Sequence, residues 1–158
     1  MGKMPAQIDI KNLNPGKKIN RSEVERTAFI ALKKGGVPEG GINVIFVTDR
    51  KIRDLNKKYL GRDRVTDVIA FPGEGVAENC FPGEKPSRNF LGDIAISSDR
   101  AKKNAAFYDV TFTEELLRYV IHGILHLVGY KDESQKDKRI MMEKEDEILG
   151  ERRKKIRK

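Results

Sequence analysis

Between Thr111 and Gly129 the chain spells out one helix from cap to stop, and its only two histidines lie on it. Thr111-Phe112-Thr113-Glu114 matches a capping box, in which a hydroxyl and a glutamate three residues on satisfy free N–H groups of the first turn. Leu117, Ile121, Ile124 and Val128 follow at helical spacing, flanked by Leu116, Val120 and Leu125. Gly129 stands where the helix ends, because glycine enters the left-handed conformation at little cost. His122 and His126 are four apart, so they lie one turn above each other on one face. That face points away from the centre of the apolar stripe, on the side of Glu115 and Tyr119.

Two imidazoles held this way can bind one metal ion. Asp132 follows the glycine where a returning chain offers a third ligand, giving H-x-x-x-H-x-x-G-x-x-D. Three protein ligands and one open position are what a hydrolytic zinc centre uses. Manganese, nickel and iron suit the same donors. The plainer alternative is an exposed histidine pair, an ordinary C-cap glycine and a turn aspartate. A class of zinc peptidases shares the spacing, but places its general base, a glutamate, directly after the first histidine. Here that position is Gly123. Glu115, two turns earlier, does not stand where that chemistry needs a base. A hydrolase of polyanions therefore ranks above a peptidase.

The rest of the chain alternates strand and helix patterns. Residues 6–10 and 66–72 read as strands, and the β-branched run at 42–47 as a buried one. Residues 90–97 read as a fourth strand. Helices are expected at 23–34, 51–59, 100–107 (with Ser98-Asp99 as its cap), 111–128 and 134–149. Strands separated by helices imply a single α/β (α+β) layered domain. No helix separates the third and fourth strands, so the sheet should be mixed. Residues 73–89, rich in Gly and Pro, read as a loop long enough to be a lid or mobile arm. One domain over residues 1–150 and a basic tail over 151–158 complete the organisation.

The net charge of +8 favours a polyanionic partner such as nucleic acid. The lone cysteine, Cys80, has no partner in the chain, which favours a reducing compartment. It is an ordinary loop residue or, less simply, an alternative metal ligand. No apolar run is long enough to span a membrane, and the first residues lack the apolar core of a signal peptide. The cytoplasm is the expected location.

Three segments together resemble one family. His122-Gly123-Ile124-Leu125-His126-Leu127-Val128-Gly129-Tyr130 looks like the signature of the YbeY family of bacterial endoribonucleases, also called rRNA maturation factors. Leu55-Asn56-Lys57-Lys58-Tyr59, running into Thr66-Asp67-Val68-Ile69-Ala70-Phe71-Pro72, is similar to its central motif. Leu91-Gly92-Asp93-Ile94-Ala95-Ile96-Ser97 is similar to its next strand. The resemblance implies a mixed, mostly parallel sheet and a zincin-like helix with zinc at its end. It implies that His122, His126 and the residue at 132 are the ligands, with the two histidines catalytic through the metal. It also implies a zinc-dependent endoribonuclease that cuts single-stranded RNA, matures the 3′ end of 16S rRNA and acts in ribosome quality control. The expected partners are single-stranded RNA, rRNA and the small ribosomal subunit, with no membrane and a monomeric protein.

Two positions depart from that pattern. Asp132 stands where the family usually has histidine, and Leu60 where it usually has arginine after the tyrosine. Arg62 and Arg64, on the same loop, are the candidates to hold RNA phosphates in place of that arginine. Tyr119 and Tyr130 are either structural or stack a base. Three readings stay open: the ribonuclease, a metallopeptidase, and a ribosome- or RNA-binding protein with weak or no catalysis.

Overall fold

The computed structural model describes residues 6–73 and 89–156, with side chains as far as Arg153. Cys80 and nearly all of the expected loop at 73–89 lie outside the described residues. Four strands and five helices follow in the order β1 (Gln7–Asn12), α1 (Arg21–Lys34), β2 (Gly41–Val47), α2 (Asp49–Leu60), β3 (Val68–Pro72), β4 (Phe90–Ser97), α3 (Ser98–Tyr108), α4 (Phe112–Leu127) and α5 (Gln135–Ile156).

The sheet runs β1-β2-β4-β3. β1 pairs with β2, and β2 with β4, in parallel, while β3 lies antiparallel on the outer side of β4. The sheet is therefore mixed and mostly parallel. Side chains alternate across a strand, so β2, β3 and β4 feed two cores. Ile42, Val44, Phe46, Ile94 and Ile96 face α1, α4 and α5. Ile45, Val47, Ile69 and Ala95 face Ile52 and Leu55 of α2. Burial on both faces is why β2 reads as a continuous apolar run rather than an alternating one.

α4 is the central helix. Thr111 caps it, its hydroxyl accepting the Glu114 N–H at 3.1 Å. The Glu114 carboxylate pairs with Arg153. The helix is covered on more sides than its apolar stripe predicts. Glu115 and Tyr119, on the side of the histidines, are both only 6% exposed. α3 covers them: Asn104 donates to the Tyr119 hydroxyl at 2.5 Å and to Asp67 at 3.4 Å. Tyr119 is thus structural and presents no face for a base, while Tyr130 is half-buried against the main core.

Several element ends differ from expectation by a residue or two, and α3 and α5 show differences that affect packing. α3 begins at Ser98 with Ser97 as its cap, because β4 runs directly into the helix. Ser98 is then buried, accepting from Asn14 at 2.8 Å. α5 continues to Ile156 rather than 149, and Arg152 reaches Glu23 of α1 at 2.8 Å. The first residues of the expected basic tail are therefore helical.

Candidate metal centre

The last two turns of α4 and the reversal after them hold the site. Gly129 sits at φ +106°, so the chain leaves the helix sharply. The Tyr130 N–H returns to the Leu125 carbonyl at 2.9 Å and the Gly129 N–H to the His126 carbonyl at 3.1 Å. This reversal does two things. It aims the Tyr130 carbonyl at His126 Nδ1, 3.2 Å away. It also brings Asp132 back, with Oδ2 3.6 Å from His122 Nε2. His122, His126 and Asp132 each offer a ligand atom, all within 4.8 Å of one another.

The partners of the rings assign their protons. His126 Nδ1 faces a carbonyl, which only accepts, so Nδ1 donates. His122 Nδ1 lies 2.6 Å from the Glu145 carboxylate and donates likewise. In neutral imidazole the remaining nitrogen is then an acceptor. The two Nε2 atoms face each other at 3.1 Å, with the Asp132 carboxylate beside them. Three acceptors converge on one point with no donor among them. Such a set fits a cation, and ligands around a tetrahedral zinc with bonds of about 2.0–2.1 Å lie about 3.3 Å apart. Burial holds His126 below the ordinary imidazole value; His122 adds to the effect and Asp132 opposes it. The neutral, metal-binding form is thereby favoured.

Gly123 has a packing reason to be glycine. α4 lies so close to β4 that a Cβ there would stand 2.6 Å from Ile94 Cγ2. A glutamate at the position where a peptidase needs its base would have to push the helix and strand apart.

The site opens on a cleft of about 420 Å³ lined by His126, Asn56, Leu60, Arg62, Arg64, Thr66 and strand β3. The loop between α2 and β3 is fixed from below. Buried Asn56 donates to the Arg64 carbonyl at 3.0 Å, and its own carbonyl accepts from the Arg62 N–H at 3.2 Å. Asp63 is held by Arg53 at 2.7 Å. Arg62 and Arg64 are exposed and have no carboxylate partner among the described residues. Leu60, half exposed, shares the cleft with them.

Sequence reasoning missed Glu145. Its signal was present: Met141, Glu145, Ile148 and Leu149 form the buried face of α5, so a carboxylate occupies an apolar position of that stripe. A charge there needs a partner. Glu145 has two, His122 and the Arg118 guanidinium at 3.0 Å.

Known proteins are similar to this chain in sequence and in fold. The family model described as Endoribonuclease YbeY matches residues 9–153. A protein named Endoribonuclease YbeY from Lysinibacillus sphaericus is 43% identical over 116 residues, covering 71% of this chain and 72% of that protein. A protein of the same name from Desulforamulus reducens is 38% identical over 127 residues, covering 80% and 82%. The solution structure of TM1509 from Thermotoga maritima superposes with a TM-score of 0.63 at 29% identity, covering 96% of this chain and 92% of the other. The match spans the sheet, the cleft loop and the histidine helix alike, and on that ground the chain belongs to the endoribonuclease YbeY family.

Proposed function

We propose that this chain is a zinc-dependent endoribonuclease that cleaves single-stranded RNA. On this reading it acts as a monomer in the cytoplasm, on rRNA of the small ribosomal subunit, in 16S 3′-end maturation and ribosome quality control. The observation that carries the proposal is the meeting of three metal-ready acceptors with a cleft edged by two arginines that have no carboxylate partner among the described residues. Among the described residues no helix is long and apolar enough to cross a membrane.

His122, His126 and Asp132 would hold the ion. When bound, such an ion polarises a phosphoryl oxygen and lowers the pKa of water toward neutrality. The remaining work falls to the chain. Arg62 and Arg64 neutralise the RNA backbone along the cleft and set its register beside His126. Asn56 keeps their loop in place. Leu60 supplies an apolar wall where a guanidinium would otherwise stand, so phosphate contact shifts two to four residues along the loop. Asp132 brings a negative charge to the centre, which makes its metal a weaker Lewis acid than one held by three neutral histidines. A peptidase reading is disfavoured by the contact between Gly123 and Ile94.

The test offers the untagged protein a single-stranded RNA, its duplex and an unstructured peptide, each with and without added zinc. Zinc-dependent cutting of the single strand alone is the expected result. Peptide cleavage, or RNA binding without cleavage under any metal, would overturn it.

A further inference from the structure

Resting on the metal-centre reading above, we infer that Glu145 is a positioning residue of the centre: its carboxylate, clamped by Arg118, fixes the proton and the orientation of His122 so that Nε2 alone faces the metal. The geometry is specific. One carboxylate oxygen of Glu145 stands 2.6 Å from His122 Nδ1, and the other accepts from Arg118 Nη1 at 3.0 Å. Arg118 is itself held from the other side by Asp146 at 2.7 Å. Glu145 is 6% exposed and sits between Met141 and Ile148 on the buried face of α5, so it has little freedom to turn elsewhere.

The choice of partner matters because the two histidines are oriented by different means. His126 is set by a backbone carbonyl of its own turn, which any residue at position 130 would supply. His122 depends on a side chain from another helix, 23 residues away. A carboxylate behind an imidazole fixes the tautomer and the orientation of the ring, and loss of such a partner typically lowers metal affinity about 10–100-fold. Arg118 has a distinct task. It supplies the countercharge that a carboxylate on an apolar helix face needs, and its contact holds the second oxygen of Glu145 in place. The C-terminal helix is thereby part of the metal centre and not only a cover for the core.

Zinc affinity, measured by chelator competition on the full untagged chain, is compared between the parent, Glu145→Ala and Glu145→Gln. Proton positions on the imidazoles are read by nitrogen NMR in the metal-free state. The parent should carry the His122 proton on Nδ1. Glu145→Ala should lose about 10–100-fold in zinc affinity, with His122 distributed between its two tautomers and His126 unchanged. Glu145→Gln should lose less, because its amide oxygen can still accept from Nδ1 but not also satisfy Arg118. Zinc affinity within twofold of the parent in both variants would overturn the inference while leaving the metal centre intact. A parent with the His122 proton on Nε2 would overturn it even if neither variant folds. A parent that binds no zinc refutes the centre, and this inference with it.

Discussion

Replacing Gly123 with alanine tests whether the contact between α4 and β4 is what holds the histidine helix in place. The added Cβ would stand 2.6 Å from Ile94 Cγ2, 3.1 Å from Cδ1 and 3.2 Å from Cγ1. Carbon atoms in contact normally sit about 3.5–4.0 Å apart, so helix and strand must separate by roughly 1 Å. Ile94 is fully buried and cannot swing aside. Overpacking of this kind costs about 1–3 kcal/mol. Against it stands the preference of a helix interior for alanine over glycine, about 1 kcal/mol. The net expectation is a loss of about 1 kcal/mol. In an Ile94→Ala background the obstacle is gone and the cavity it leaves is partly filled, so the same substitution should gain about 1 kcal/mol or more. Urea unfolding of the four metal-free proteins reads the change of sign directly. The single variant should also bind zinc more weakly, since the displaced helix carries two of the three ligands. If Gly123→Ala instead stabilises the parent by about 1 kcal/mol, as at an open helical site, the close-approach reasoning is refuted.

Other substitutions probe the turn, the cleft and the buried acid. Gly129→Ala forces an L-residue into φ +106°; it should cost about 1–2 kcal/mol and weaken zinc binding, because the Tyr130 carbonyl and Asp132 both hang on that turn. Thermal unfolding with and without zinc checks it, and equal stability would contradict the role given to the glycine. Arg62→Ala and Arg64→Ala should each weaken single-stranded RNA binding, and each should reduce the salt slope by about 0.7. Unchanged affinity and slope in both variants would remove them from the interface. Burial raises the Glu115 pKa above its ordinary value, and nearby Asp67 and Glu145 add to this, while Tyr119 and Arg118 oppose it. The folded state therefore holds that proton more tightly than the unfolded chain, so the stabilisation is complete below the ordinary carboxylate value. It is lost as pH rises through the raised one. Glu115→Gln should flatten this part of the stability profile, and a profile parallel to the parent's would count against it.

What could be read from the sequence was local along the chain. The helix from Thr111, the pairing of His122 with His126 and the return of Asp132 depend on helical spacing and one glycine, all within 22 residues. The mixed character of the sheet followed from the absence of a helix between the third and fourth strands; the pairing of β3 with β4 is what makes it so. What escaped depends on contacts between distant segments. Gly123 could be read only as a missing base, because Ile94 lies 29 residues earlier on a strand whose closeness to α4 no local pattern encodes. Glu115 and Tyr119 read as the open side of α4 because Asn104, which covers them, belongs to another helix. Glu145 was hidden for the same reason, although a carboxylate within the apolar stripe of α5 was a usable clue. The sheet order β1-β2-β4-β3 likewise needs the packed structure.

The central claim is that His122, His126 and Asp132 hold a metal that makes this chain a ribonuclease. The most direct measurement is the rate of single-stranded RNA cleavage during a zinc titration of the chelated, untagged protein, with His122→Ala beside it. The account predicts a rate that rises with metal occupancy, saturates near one ion per chain and is absent from His122→Ala at every zinc concentration. Cleavage by His122→Ala at the parent's rate, or a parent rate indifferent to chelation, would contradict it.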